Sequence, residues 1–155
     1  MGGPDRIIAS DIAQALLDIT SETMLARQFD DFAACFNLPL RITTTTGPIE
    51  INTLTDMQRA YDEMETYITR LGVDEIVRTC VEAGYRSPDV IRLAHMTSLK
   101  RGGRDLSPPY PGYSELNRID GVWKITGSEY VLPPDDARAI ADAFAASAKA
   151  TTAKS

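Results

Sequence analysis

Apolar residues recur at helical spacing in three segments of the first half of the chain. In the first segment, Ile12, Leu16, Ile19 and Met24 share a face. The second places three aromatic rings, Phe29, Phe32 and Phe36, on one face of a short helix. The third carries a continuous apolar stripe that ends at a glycine suited to a helix stop, namely Leu54, Met57, Tyr61, Met64, Ile68, Leu71 and Gly72. The pattern predicts three helices.

Outside these helices, most of the chain consists of segments that alternate apolar and polar residues or are rich in β-branched residues. A small hairpin is predicted at 40–51, and two long strands at 74–87 and 89–100. The last pair of strands is expected to turn at Asp120-Gly121, because Asp-Gly is a strong hairpin signal. That turn sets Arg118 opposite Trp123. Residues 134–150 are expected to form a C-terminal helix and tail.

Composition and charge exclude several partners. The chain has 155 residues and a net charge of −6, so neither nucleic acid nor an anionic membrane surface is an expected partner. The two cysteines, Cys35 and Cys80, lie outside any metal-binding spacing and favour free thiols in a reducing cytoplasm. With a single histidine and no cluster of ligand-type residues, we expect no metal and no cofactor. The expected localisation is cytoplasmic.

The order of elements resembles the nuclear transport factor 2-like superfamily, which includes ketosteroid isomerase and the SnoaL-like polyketide cyclases. The resemblance covers about residues 10–132. It depends on the Phe32/Phe36 segment running into Pro39 and on the closing hairpin at 120–125. It implies an α+β fold in which N-terminal helices pack on a strongly curved antiparallel sheet, a cone-shaped, cystatin-like barrel. It also implies a homodimer through the outer sheet face and an apolar ligand between helices and sheet. We expect a single domain over residues 1–155.

The resemblance raises the question of catalysis, and the residues present weigh against isomerase chemistry. Isomerase-like relatives carry a carboxylate base after the second helix, whereas the matching segment here, Arg41 to Thr46, has four threonines and no acid. His95 is then the one candidate for acid–base chemistry. It alternates with apolar residues on its strand, so its ring is expected to face the interior. Whether the protein is an enzyme therefore stays open.

The sequence leaves three hypotheses for function. The leading one is binding of a small, mostly apolar molecule near Phe32, Tyr61, His95 and Trp123, with Arg118 as an anchor for an anionic group. The second is a SnoaL-like cyclase, isomerase or dehydratase that uses His95, with Thr43 or Thr45 orienting water or substrate. The third is a non-catalytic dimeric interaction module that uses the outer sheet face, expected around Ile76, Arg78, Cys80, Arg92, Ala94 and Met96. An interior cavity without acids would favour the first hypothesis, and His95 beside a carboxylate would favour the second.

Overall fold

The computed structural model describes residues 8–44 and 47–130. Its helices are α1 (Ala9–Leu25), α2 (Phe29–Ala33) and α3 (Leu54–Leu71). Its strands are β1 (Phe36–Thr44), β2 (Gly47–Ile51), β3 (Glu75–Ser87), β4 (Val90–Arg101), β5 (Arg104–Asp105), β6 (Tyr110–Ile119) and β7 (Val122–Tyr130). The predicted C-terminal helix and Thr45 lie outside the described residues.

The strands form one sheet in the order β2-β1-β7-β6-β4-β3, with β5 paired to β4. The helices pack on its inner face, which confirms the α+β cone expected from the sequence. The sheet is not closed, because β2 and β3 are its outer strands. Every pairing is antiparallel except that of β1 with β7, which is parallel. The parallel pairing departs from the antiparallel sheet expected above, since no local pattern links segments so far apart in the chain.

The third helix follows its sequence pattern closely. The Thr53 side chain accepts a hydrogen bond from the backbone N–H of Asp56 at 3.1 Å, and Gly72 ends the helix with a φ of +72°. Met57, Tyr61 and Ile68 of its apolar stripe are buried. A capped start and a left-handed stop fix the limits of the helix, and the buried stripe fixes the face that it turns toward the sheet.

The second helix is shorter than the aromatic spacing predicts. It ends at Ala33, and Phe36 is the first residue of β1, so the helical assignment of Phe36 is wrong. Phe36 is paired with Ile125 of β7, and the Ile125 backbone N–H donates to the carbonyl of Cys35 at 2.8 Å. Phe36 therefore belongs to a strand that pairs with β7, although local spacing alone assigns it to a helix.

The closing hairpin has the predicted register. Arg118 lies opposite Trp123 and Leu116 opposite Ile125. The turn residues Asp120 and Gly121 have φ values of +51° and +80°, the left-handed region that an Asp-Gly turn requires. Both cysteines are free. Within residues 8–44 and 47–130, no helix is long and apolar enough to cross a membrane, and no group of metal-ligating side chains occurs.

Candidate functional site

A cavity of about 140 Å³ lies between the helices and the inner face of the sheet. Its walls are mostly aliphatic, aromatic and methionine side chains from α1, α2, α3, β1, β2, β3 and β4: Met24, Phe32, Phe36, Leu40, Ile42, Ile51, Met57, Ala60, Tyr61, Met64, Ile68, Ile76 and Leu99. Its polar lining consists of Thr20, Ser21, Arg78, Thr97, Tyr110, Ser128 and Tyr130. No carboxylate among the described residues lines it. Its size is close to that of the ~150 Å³ apolar cavity that accepts benzene in another protein.

Of the described residues that line this cavity, Arg78 is the one that carries a positive charge. One Nη of its guanidinium donates to the Thr20 hydroxyl at 2.7 Å, and the other donates to the Tyr130 hydroxyl at 3.0 Å. No carboxylate in the described part of the chain lies within 4.0 Å of the guanidinium. The cation is therefore held by two neutral hydroxyl groups beside an otherwise apolar space.

The inward position of Arg78 is a correction, because the sequence led us to expect Ile76, Arg78 and Cys80 on the outer face. Arg78 is directly opposite Thr97 and Cys80 directly opposite His95 in the β3–β4 pair. Directly opposite residues of an antiparallel pair share a face, and those of β4 are buried on the inner one. A bulge between Cys80 and Glu82 then shifts the alternation, so that Ala83 and Tyr85 also pack on the core.

Gln14 of α1 fixes this part of β3. Its side-chain amide donates to the carbonyl of Arg78 at 2.7 Å and accepts from the backbone N–H of Cys80 at 2.8 Å. These two backbone groups lie on the side of β3 that has no neighbouring strand. The amide therefore forms the two hydrogen bonds that a neighbouring strand would form at this sheet edge, and it holds the Arg78 backbone against the helix.

His95 faces inward, as its alternation with apolar residues predicts, and is 1% exposed. Its Nε2 lies 3.3 Å from the Ser114 hydroxyl, which in turn lies 3.1 Å from the Ser128 hydroxyl. The ring meets that of Tyr130 edge-on, with centroids 5.8 Å apart. Its Nδ1 has no hydrogen-bond partner among the described residues. His95 is itself outside the cavity lining, but it contacts Tyr130, which belongs to that lining.

The environment of His95 disfavours its charged form. Burial, and then the positive charge of Arg78, lower the pKa of His95 from 6.5 to about 3. The imidazole is therefore neutral at physiological pH. A group with so low a pKa is a weak general base, and at neutral pH it carries no proton to give as an imidazolium acid. The described contacts of the ring include no carboxylate, so His95 lacks the orienting partner of a histidine–carboxylate dyad among the described residues.

The other predicted site residues separate into two places. Phe32 and Tyr61 line the cavity, and their rings are 5.0 Å apart. Trp123 and Arg118 do not line it. Trp123 packs on the core against Tyr85, with ring centroids 6.1 Å apart, and Arg118 pairs with Asp89 at 2.6 Å beside the β3–β4 turn. Arg118 also lies over the Trp123 ring, 5.8 Å from its centroid, as their opposed register requires.

Thr43 lines a different depression, on the outer face of the sheet. That groove has a volume of about 810 Å³, and Tyr113 lies within it at 48% exposure. Its charged lining residues are Arg41, Arg86, Arg92, Glu82, Glu115 and Glu129. Thr43 is thus separated from His95 by the thickness of the sheet.

Three residues that matter in the cavity are not predicted by the sequence to lie there: Arg78, which was expected on the outer face, Thr97 and Tyr130. Thr97 could have been found, because it alternates with His95 on the same strand. Arg78 could not be placed without the β3–β4 register, since the bulge changes which residues of β3 face inward. Tyr130 lies at the end of β7, where the sequence marks only the end of a strand.

The architecture is that of a cone-shaped α+β protein with a mostly apolar cavity between helices and sheet. No protein-family model and no curated protein matches the chain. The chain has the nuclear transport factor 2-like fold. An NTF2-like protein of unknown function from Shewanella oneidensis is similar over 79% of this chain and 98% of its own, at 19% identity and a TM-score of 0.57.

Two further solved structures are similar in fold. A domain of unknown function with a cystatin-like fold from Nostoc punctiforme is 12% identical, with a TM-score of 0.63, over 88% of this chain and 86% of that one. A hexachlorocyclohexane dehydrochlorinase, LinA-type3, from Novosphingobium barchaimii is 15% identical, with a TM-score of 0.54, over 77% and 83% of the two chains. At these identities the likeness is one of fold.

Proposed function

We propose that this protein binds a small, mostly apolar molecule in the cavity between its helices and sheet, without catalysing a reaction. The observation that carries the proposal is the cavity of about 140 Å³ whose described lining contains apolar side chains and no carboxylate. Burying apolar ligand surface against such walls is favourable without any chemistry. A molecule of about six to ten non-hydrogen atoms suits this volume, given that a ~150 Å³ cavity holds benzene.

The residues of the site support binding over the enzymatic alternative. His95 is outside the lining, is neutral at physiological pH and has no orienting acid among the described residues. The hexachlorocyclohexane dehydrochlorinase of similar fold acts on its own substrate, and the likeness of fold does not supply the missing acid here. The retained hypothesis is therefore a binding protein.

Methionine methyl groups offer a direct test of cavity occupancy. Met24, Met57 and Met64 line the cavity, whereas Met96 alternates with buried His95 and Thr97 and lies on the other face of the sheet. With 13C-methyl methionine, benzamide and toluene are expected to shift the first three methyl signals and leave that of Met96 unchanged. If the cavity methyls do not move at about 10 mM ligand, where even a millimolar Kd gives near saturation, the binding proposal is wrong.

Filling the cavity should abolish this binding without unfolding the protein. Ala60 lines the cavity from α3 and is 3% exposed, so Ala60→Leu adds three carbon atoms into the space while keeping a strong helix former. We expect at least a tenfold loss of benzamide affinity and a melting temperature that is unchanged or raised. Ala15→Leu on the exposed side of α1 is the matched control and should bind as the wild type does. Equal binding by both variants would contradict the assignment of the site.

We also propose that two copies of the chain associate through the outer face of the sheet. The groove there carries three arginines and three glutamates, so a two-fold axis can place each sign of charge opposite the other. Tyr113, exposed at 48%, supplies the kind of aromatic anchor that is common at interfaces.

Light scattering should give the mass of a dimer at tens of micromolar wild-type protein. Tyr113→Glu is expected to convert it to the monomer, because a carboxylate would be buried at the interface. Val122→Glu, at an exposed apolar residue outside the groove, is the control and should stay dimeric. A wild type that is monomeric at this concentration would refute the proposal.

A further inference from the structure

The polar groups of the cavity have more hydrogen-bond donors than acceptors. Arg78 donates to Thr20 and Tyr130, which leaves further N–H groups of its five without an acceptor in the described residues. Tyr130 accepts from Arg78, so its own hydroxyl hydrogen is left over. Thr97, which is 3% exposed, has a buried hydroxyl with no partner among the described residues.

The other hydroxyl groups nearby do not share this deficiency. Tyr61 donates to the carbonyl of Thr23 at 3.0 Å, and Ser21 donates to the carbonyl of Leu17 at 2.8 Å. Thr20 donates to the carbonyl of Leu16 at 2.8 Å while it accepts from Arg78. Among these residues, the surplus donors belong to the Arg78, Thr97 and Tyr130 side chains, which we call the donor cluster.

The donor cluster is a single place in the fold. Arg78 and Thr97 are directly opposite each other on neighbouring strands, and a hydrogen bond joins Arg78 to Tyr130. All three side chains line the same cavity. The geometry points to a site for the carboxylate of a small aromatic or alicyclic monoacid, with the guanidinium and the two hydroxyl groups holding the anion. This inference rests on the proposed function, because the same cavity walls must hold the apolar body of the ligand.

The charge of the site sets the charge of the ligand. A guanidinium beside low-polarity walls lacks a counter-ion in the described structure, and a carboxylate supplies one with two acceptor oxygens that match its planar fork. The neighbouring imidazole of His95 is neutral at physiological pH and adds no second positive charge. One cation in a cavity of about 140 Å³ suits a monoanion with a compact ring, such as benzoate.

A pair of ligands with the same shape that differ in charge, and in one acceptor oxygen replaced by an NH2 donor, tests the inference. Benzoate and benzamide have the same shape and number of heavy atoms, but only benzoate is an anion at neutral pH. Their affinities are measured from the methyl shifts of Met24, Met57 and Met64. We expect the wild type to bind benzoate at least about tenfold more tightly than benzamide, because hydrogen bonds to a charged acceptor are the stronger ones. Equal affinities would overturn the inference and leave the proposed function standing.

Variants then assign the preference to one residue. Arg78→Met, which keeps an unbranched side chain, should remove the preference for benzoate, so that the ratio of benzoate to benzamide affinity falls from at least about tenfold to about one. Arg92→Met, on the outer face, is the matched control and should keep the wild-type ratio. If Arg78→Met weakens both ligands alike, Arg78 acts only in packing and the inference is wrong. If neither ligand shifts the cavity methyls of the wild type, the proposed function fails together with it.

Discussion

Acidification from pH 7 to pH 4 is expected to lower the free energy of unfolding by about 3 kcal/mol through His95 alone. The folded protein holds the pKa of His95 at about 3, whereas the unfolded chain has the ordinary value of 6.5. Above the unfolded value, both states are neutral at this residue and it has no effect. As the pH falls below 6.5, the unfolded state binds a proton at His95 that the folded state does not bind. The free energy of unfolding therefore decreases until the pH reaches the folded pKa of about 3.

The groups around the His95 ring explain why its pKa is low in the folded state. Arg78 is the positive charge that acts on His95, Cys80 lies opposite it on β3, and Ser114 and Tyr130 are its polar contacts. None of these can compensate an imidazolium, because none carries a negative charge near neutral pH. Burial then makes the charged form costly.

Urea unfolding of the wild type and His95→Gln at several pH values isolates this effect. Gln can still bond to Ser114 but does not titrate, and His95 is the single histidine of the chain. The carboxylates contribute equally to both proteins, so the difference between the two curves belongs to His95. The stability of the wild type should fall more steeply between pH 6.5 and pH 4 than that of the variant. Parallel curves over this interval would show that the ring protonates freely in the folded state.

Gly112→Ala is expected to lower the free energy of unfolding by about 1–3 kcal/mol. A Cβ at this position would lie 2.5 Å from Cε1 of His95 and 3.1 Å from Cδ1 of Tyr130. The first distance is shorter than a carbon–carbon contact allows and the second is tighter than most such contacts. The His95 ring is packed and cannot withdraw without disturbing the core. The absence of a side chain at Gly112 of β6 thus leaves the space that the His95 ring occupies.

A control glycine and a double variant separate this clash from a general effect of alanine. Gly84 lies in β3 with no atom within 4 Å of an added Cβ, so Gly84→Ala should be neutral or slightly stabilising. In a His95→Ala background, Gly112→Ala should cost much less than in the wild type, because the ring is gone. Additive losses in the double variant would place the cause of the destabilisation elsewhere. Thermal and urea unfolding provide both measurements.

Local patterns in the sequence were sufficient where the structure depends on neighbouring residues. The apolar stripe of α3, its Thr53 cap and its Gly72 stop are set by side chains within one helix. The turn at Asp120-Gly121 fixes the register of β6 and β7 from Leu116 to Ile119, because a two-residue loop leaves one pairing available next to the turn. The inward direction of His95 followed from strict alternation along β4.

Long-range pairing decided the features that local patterns left out or misplaced. Phe36 enters β1 because β7 offers it a partner, although its spacing from Phe32 suits a helix. The part of β3 just before the bulge is hydrogen-bonded to Gln14, which lies 64 positions from Arg78 and 66 positions from Cys80 in the chain. Trp123 and Arg118 were expected near a ligand, and the structure places them against Tyr85 and Asp89, away from the cavity.

Short-range spacing and turn chemistry are enough to specify α1, α3, the closing hairpin and the inward direction of the imidazole, and these can be read from the chain. The pairing of distant strands was needed to show that a guanidinium on β3 shares a cavity with two hydroxyl groups from β4 and β7. A strand's inward face is set by its register with its neighbour, and one bulge reverses that face. The chemistry of the site therefore became apparent only when the strands were paired.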